Sequence, residues 1–293
     1  MSIVALGLGY AARALFRRMA LFPCVGTTRS RARASALEAQ GFKTVVFDGH
    51  QASEDVRGCV TRAKTLIVST PPDAAGDPAL RVLSSEIERA HELGAIVYLS
   101  TIGVYGDHGG AWIDEAAELK TRTVRGRERI VAESAWRELA QRRAVSLYVL
   151  RLAGIYGPGR SLLEKLRGGK ARRIVKPGQV FNRIHVEDLA AIAEALIESR
   201  RPSGVWNVAD DEPAPPDEVI AFAAGLIGIA PPQEERFEDA ELSAMARSFY
   251  EDNKRVSNAK IKRELKRSLI YPTYREGLRA LAKEDLRERR AER

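Results

Sequence analysis

The sequence predicts an α/β protein: a doubly wound parallel sheet followed by a smaller, mixed C-terminal domain. Three observations carry this reading. Short, continuously apolar runs alternate with helix-length stretches through the first half. A glycine-rich turn, Gly7-Leu8-Gly9-Tyr10-Ala11-Ala12, joins the first run to the first helix. After Leu150 the alternation gives way to interleaved glycine, proline and basic residues.

The apolar runs cover residues 3–6, 24–28, 44–47, 65–69, 95–100 and 145–150. Runs this short and this continuous suit strands covered on both faces. The intervening helices are expected over 11–20, 31–40, 77–93 and 123–142, with Gly41 ending the second and Gly94 standing as the C′ glycine of the third. In the fourth, Val131, Ala135 and Leu139 form one stripe with Ala132, Trp136 and Ala140 beside it, a helix with a buried face. Farther on, 188–199, 217–227, 240–249 and 274–283 read as helices, 205–208 as a strand, and the charged end 284–293 as a fraying helix terminus. The expected division is a dinucleotide-binding domain over 1–155, with 182–208 returning to it, and a substrate domain from 156–181 and 209–293.

Composition excludes several classes. The chain has 293 residues, 45% hydrophobic and 29% charged, the balance of a soluble globular protein with a core of its own. Its two cysteines, Cys24 and Cys59, fit neither a zinc site nor a disulfide framework, so no metal and a reducing compartment are expected. The first residues lack the basic region of a signal peptide, and no apolar run is long enough for a membrane span. The expected location is cytoplasmic. The net charge is +8, concentrated in 160–183 and 252–267. Such patches attract anions, though either one alone reads as solvated surface; no nucleic-acid motif accompanies them, and with the features below the expected partner is a small anionic molecule rather than nucleic acid.

The turn Gly7-x-Gly9-x-x-Ala12 follows a strand and opens a helix, which is the dinucleotide fingerprint of a Rossmann domain. The first glycine permits the tight turn, the second lets a pyrophosphate approach the backbone, and the small third residue lets the helix pack on the sheet. Leu8 and Tyr10 lie within this loop. The end of the second strand selects the cofactor. NAD binders place an acid there for the ribose 2′-hydroxyl. This chain has Thr28, Arg29 and, farther on, Arg33, with no acid. Guanidinium groups suit a 2′-phosphate, so NADP is preferred to NAD. Asp48 is placed to meet the adenine, and Ser69, Thr70 and Pro71 line the path to the nicotinamide.

Four segments carry a resemblance. Leu99-Ser100-Thr101-Ile102-Gly103-Val104-Tyr105-Gly106-Asp107 resembles the fifth-strand motif of the extended short-chain dehydrogenases/reductases, the NAD(P)-dependent epimerases, dehydratases and reductases. Leu150-Arg151-Leu152-Ala153-Gly154-Ile155-Tyr156-Gly157-Pro158-Gly159 is similar to its sixth-strand motif. Arg183-Ile184-His185-Val186-Glu187-Asp188 and Val205-Trp206-Asn207-Val208 resemble its later segments. In that family a Ser/Thr, a Tyr and a Lys do the chemistry. Thr101 matches the first, and Ser100 beside it falls among the cofactor contacts. The resemblance puts Arg125 where Tyr is expected and Arg129 where Lys is expected. Arginine stays protonated, so Arg125 cannot exchange the proton that a tyrosine would. Arg129 can still hold ribose hydroxyls. Tyr250-x-x-x-Lys254 has the family spacing but lies far downstream and reads as coincidence. The Arg-Gly-Arg-x-Arg run resembles an atypical YeeZ-like subgroup, which implies a fold and a cofactor but no substrate.

The expected function is an NADP-binding oxidoreductase or epimerase-like protein with a rearranged active site. Thr101, Arg125 and Arg129 form its catalytic set, and Tyr105, Tyr156, Arg160, Arg183 and His185 face the substrate. The alternative is a non-catalytic NAD(P)-binding redox sensor. Homodimers are common in the family that the chain resembles, and the helix bearing Val131, Trp136 and Leu139 either serves as such a face or is buried against its own sheet.

Overall fold

A computed structural model describes residues 2–291. Contacts divide the chain into two units: one runs up to Val104 and adds 121–151 and 189–206, and the other holds 105–120, 152–188 and everything from Asn207 onward.

The first unit is built on β1 (Ile3–Leu6), α1 (Tyr10–Arg18), β2 (Cys24–Thr28), α2 (Arg31–Glu38), β3 (Thr44–Val46), α3 (Glu54–Thr61), β4 (Thr65–Val68), α4 (Pro78–Arg89), β5 (Ala95–Thr101), α5 (Val124–Arg143), β6 (Ser146–Leu152), α6 (Val186–Ser199) and β7 (Gly204–Val208). The strands form one parallel sheet in the order β7-β6-β5-β4-β1-β2-β3. Ile3 lies opposite both Cys24 and Thr65. The direction of winding therefore reverses on either side of β1, which opens a crevice at the carboxyl ends of β1 and β4.

Local chemistry sets the helix starts. The Ser30 hydroxyl accepts from the Arg33 amide, Ser53 from Val56, and Thr123 from Gly126, capping α2, α3 and α5. Asp77 caps α4, accepting from Ala79 and Leu80, so α4 begins after it. At its other end α4 stops at Arg89, because the Ala90 backbone leaves the helix at ψ 79°. Gly94 is therefore not a C′ glycine; its amide donates to the Lys64 carbonyl and leads into β5.

The buried stripe of α5 is Ala132, Trp136, Leu139 and Ala140, packed with Leu83 and Ile87 of α4 and with Ile96, Leu147 and Val149 of the sheet. Val131, expected on that stripe, is 62% exposed instead. The stripe is fixed by Trp136, whose indole donates to Asp77 Oδ2 at 3.0 Å. Trp136 and Leu139 are enclosed in their own unit and offer nothing to a second copy. The exposed apolar residues of α5 are Val124 and Val131, seven apart on one face.

A buried polar network ties α5 to two strands. Glu133 accepts from Ser100 of β5 at 2.5 Å. Its carboxylate also takes Arg151 of β6 in a forked pair, with Nε at 3.3 Å and Nη2 at 2.8 Å. Both charged side chains are at most 5% exposed.

The second unit pairs short segments from distant parts of the chain. Gly154–Tyr156 runs parallel to Arg183–His185, Arg173–Val175 to Glu234–Arg236, and Trp112–Ile113 to Arg255–Val256. One core joins Leu163 and Leu166 of Leu162–Arg167, Val219 and Ala223 of Pro216–Leu226, and Leu278 and Leu281 of Tyr274–Ala291. The last helix is longer than expected, and 292–293 of the charged end lie outside the described residues. The helix expected over 240–249 shrinks to Ala244–Ser248, because the Ser243 hydroxyl caps it by accepting from the Ala246 amide. Tyr250 and Lys254 lie on no common helix. The Tyr250 ring packs against Phe181 and Phe237, while Lys254 Nζ donates to the Gly106 carbonyl at 2.7 Å.

Removing one partner of a buried ion pair strands the other charge, at about 3–5 kcal/mol. Glu133→Ala is therefore expected to lower the unfolding free energy by about that amount. The double change Glu133→Met with Arg151→Met is expected to restore much of it, both read by urea titration.

Candidate functional site

The glycine turn sits at the carboxyl end of β1. Gly7 adopts φ +93°, a conformation that side chains other than glycine rarely hold. A Cβ there would lie 3.2 Å from the Thr70 amide and 3.3 Å from the Ser69 carbonyl carbon. The turn is braced by β2: the Gly7 amide donates to Thr27 Oγ1 at 2.8 Å and the Leu8 amide to the Thr27 carbonyl at 2.7 Å. Leu8 itself is a core residue, packed so closely on β2 that Gly26 must lack a side chain. Gly9 precedes α1 with no side-chain cap, so the first amides of the helix remain for a ligand. Ala12 is fully buried where α1 meets the sheet.

Across the crevice, Ser69 and Thr70 follow β4, and the Thr70 hydroxyl is enclosed without a hydrogen-bond partner. A buried hydroxyl without a partner costs about 1–3 kcal/mol, so one beside a bare helix start marks a place for a polar ligand. These features fit a dinucleotide. Pro71, next along, is exposed.

The end of β2 is cationic. Thr28 is buried, while Arg29, Arg31 and Arg33 are exposed and pair with no carboxylate among the described residues. Asp48, beyond β3, is exposed and accepts from the His50 and Gln51 amides. Those bonds hold its carboxyl below the usual range.

The catalytic candidates follow β5 and open α5. Thr101 is half-buried, and its Oγ1 accepts from the Gly103 amide at 3.1 Å, which leaves its own proton to donate. Ser100 is buried and committed to Glu133. Arg129 turns inward: Nη1 donates to the Tyr98 hydroxyl at 3.1 Å and to the Leu99 carbonyl at 3.2 Å. Burial drives Tyr98 well above the ordinary phenol pKa, with Arg129 opposing it, so this hydroxyl stays protonated. Arg125, one turn earlier, is exposed and pairs with no carboxylate among the described residues. Gly126 between them is required, because any Cβ there would strike Thr121.

The substrate candidates belong to the second unit. Tyr105 is fully buried, its hydroxyl donating to Asn207 Oδ1 at 2.7 Å. Arg160 is exposed. Tyr156, Arg183 and His185 come together on the paired strands. The Tyr156 ring stands edge-on to His185 at 5.1 Å, and Tyr271 covers the imidazole at 4.1 Å. Arg183 Nη1 donates to the Phe181 and Ala214 carbonyls. Asp210, unanticipated from the sequence, joins them through its amide, which donates to the Arg183 carbonyl at 2.7 Å. The Tyr156 hydroxyl, His185 Nε2 and Asp210 Oδ2 are buried without partners. Burial pushes Asp210 up to about 8 despite Arg183, pushes Asp188 up to about 6, and drops His185 to about 4. His185 and Asp210 are thus interior groups, each 1% exposed, not surface ones.

The fold and this crevice define a dinucleotide-binding α/β protein. Comparison with known proteins agrees. The model of the NAD dependent epimerase/dehydratase family matches residues 79–209. A solved structure of a functionally unknown conserved protein from Silicibacter pomeroyi is 44% identical, covering 97% of this chain and 99% of that one with a TM-score of 0.87. Protein YeeZ of Escherichia coli K12 is 30% identical over 146 residues, 49% of this chain and 50% of YeeZ, so the match spans half the length of that curated relative. The dTDP-glucose 4,6-dehydratase of Bacillus anthracis, solved with NAD, is 14% identical over 97% of this chain and 96% of that one at a TM-score of 0.76, a likeness of fold. The chain belongs to the NAD-dependent epimerase/dehydratase family.

Two outcomes are expected. Gly7→Ala places an alanine at φ +93° against the Thr70 amide and is expected to cost about 1–3 kcal/mol and to abolish dinucleotide binding, measured by thermal melting and NADPH fluorescence. A carboxyl whose folded pKa is raised binds its proton more tightly when folded. Asp210 and Asp188 therefore contribute stability below about pH 4, which is lost as pH rises through about 6 and 8, while His185 works oppositely and loses stability as pH falls from 6.5 to about 4. Asp210→Asn is expected to flatten the decline between pH 6 and 8 in urea titrations.

Proposed function

We propose that this chain is an NADP-dependent oxidoreductase or epimerase-like enzyme for a small anionic substrate, in which Arg125 and Arg129 stand in place of a tyrosine–lysine pair. The observation that carries the cofactor is the end of β2, where Arg29, Arg31 and Arg33 pair with no carboxylate among the described residues and the sequence offers no acid to meet a ribose 2′-hydroxyl. Gly7, Gly9 and the first amides of α1 would hold the pyrophosphate, Thr70 would gain the partner it lacks, and Asp48 would lie toward the adenine.

Bound NADP(H) would supply or accept hydride. This chain's residues would orient the reacting groups. Thr101 would donate its proton in a hydrogen bond to a substrate oxygen. Arg125, exposed and uncommitted, would bind an anionic oxygen or phosphate and stabilise negative charge developing there. Arg129, anchored by Nη1 to β5, keeps its remaining donors for ribose hydroxyls. The substrate class rests on these guanidinium groups and on the basic stretch 160–183. The atypical YeeZ-like subgroup is the reading that the Arg-Gly-Arg-x-Arg run favours.

A second reading, a redox sensor that binds NADP(H) without turnover, is favoured by one specific observation. Every tyrosine near the fifth-strand motif is withdrawn from proton exchange: Tyr98 is held protonated inside the sheet, and the Tyr105 hydroxyl is bound to Asn207.

No described helix is long and apolar enough to cross a membrane. A reducing, cytoplasmic setting fits the two free thiols, Cys24 and Cys59. A homodimer, if formed through α5, would use Val124 and Val131 rather than the enclosed Trp136.

Fluorescence titration with NADPH and NADH tests the cofactor, and NADPH is expected to bind at least tenfold more tightly. Equal affinity overturns the preference. Turnover of bound NADPH against a panel of anionic carbonyl and sugar substrates then separates the two readings. Arg125→Met is expected to lower turnover about 10²- to 10³-fold if Arg125 stabilises charge on the reacting oxygen. Binding without turnover of any panel member supports the sensor.

A further inference from the structure

Arg13 is the fourth residue of α1, beyond the glycine turn, and no sequence pattern assigns it a role. In the structure it is half-buried and only partly engaged. Nη1 donates to Gln40 Oε1 at 3.3 Å, and Gln40 is itself oriented by donating from Nε2 to the Ala36 carbonyl at 3.0 Å. Nε is enclosed with no partner. No carboxylate pairs with Arg13 among the described residues. Glu38, the acid at the end of α2, accepts instead from the Thr44 hydroxyl at 2.8 Å. Burial holds the Arg13 guanidinium below the ordinary arginine pKa, and the positive charges of Arg33 and Arg17 add to that effect. Arg17 has another engagement, over the Phe42 ring at 5.5 Å. Through Gln40 and the Ala36 carbonyl the half-buried Arg13 guanidinium is held against α2, one turn from Arg33, which is exposed and pairs with no carboxylate among the described residues.

Two like charges held together without a counter-ion repel each other, and partial burial strengthens that repulsion. A dianionic group between them reverses its sign and supplies the acceptor that Nε lacks. We propose that Arg13 acts with Arg33 as a two-armed clamp for the 2′-phosphate of NADP(H), making Arg13 a determinant of cofactor specificity. This rests on the NADP reading above and adds a residue to it from the α1 side. Gln40 serves as the resting anchor of the Arg13 arm, and its neutral amide releases the guanidinium more readily than a carboxylate would.

The test uses the full-length protein and three probes: NADPH, NADH and 2′,5′-ADP. Arg13→Gln is expected to weaken NADPH and 2′,5′-ADP about 10- to 100-fold while leaving NADH within about twofold, the loss of one charge-assisted pair. Arg13→Lys, which keeps the charge but not the fork, is expected to fall between the two and guards against a glutamine variant that does not fold. If the wild type binds NADH as tightly as NADPH, the NADP reading itself fails. If the wild type prefers NADPH but both Arg13 variants keep that preference, or lose NADPH and NADH equally, the clamp is overturned while the NADP reading stands.

Discussion

The carboxylate of Glu133 is the constraint on which the candidate site depends. It accepts from Ser100 and Arg151 at once and so locks the middle of α5 to β5 and β6. With that point fixed, helix geometry dictates where the upstream residues fall. Arg129 is one turn before Glu133 and meets the β5 backbone; Arg125 is two turns before it and reaches solvent. Trp136, one turn the other way, closes the lock by donating to the Asp77 cap of α4. The ion pair is costly to desolvate, and an apolar substitute could match its stability. An apolar substitute would not fix the rotation of α5 as these directional bonds do.

The same frame accommodates arginine at positions 125 and 129. A longer, forked side chain at Arg129 finds a carbonyl and a phenol within reach. Gly126 leaves room for Thr121 at the helix start. What the two positions present is guanidinium groups, one anchored to β5 and one exposed. The cationic end of β2 has the same character.

Much of this was legible in the sequence. All six strands expected in the first half form, the strand expected over 205–208 forms, and the glycine turn lies where a strand–turn–helix pattern put it, because burial on both faces leaves a strong apolar signature. The cofactor crevice follows from that order. Less legible were groups whose role depends on a distant partner. Tyr98 reads as one more residue of an apolar strand until Arg129 is seen beside it. Asp77 falls at the first position of an expected helix, and only the fold makes it the cap that also receives the Trp136 indole. Val131 falls on an apolar stripe by spacing, yet the lock at Glu133 rotates it outward. Asp210 gave no signal, because a lone acid after a strand is ordinary until its burial is known. The shortened helix at 244–248 was foreshadowed by Ser243, a good cap inside a weakly apolar stretch.

The pairing of Trp112–Ile113 with Arg255–Val256 has a consequence for how the chain is made. Residues that leave the ribosome early must wait for about 140 more before their strand partner exists, roughly 10 seconds of synthesis at typical rates. Lys254 and Asn253, which hold Gly106 and Asp107, arrive in the same late segment. That pairing therefore closes only after most of the chain has been made. Until then the carbonyl of Gly106 and the carboxylate of Asp107 lack the Lys254 and Asn253 donors that they have in the finished fold.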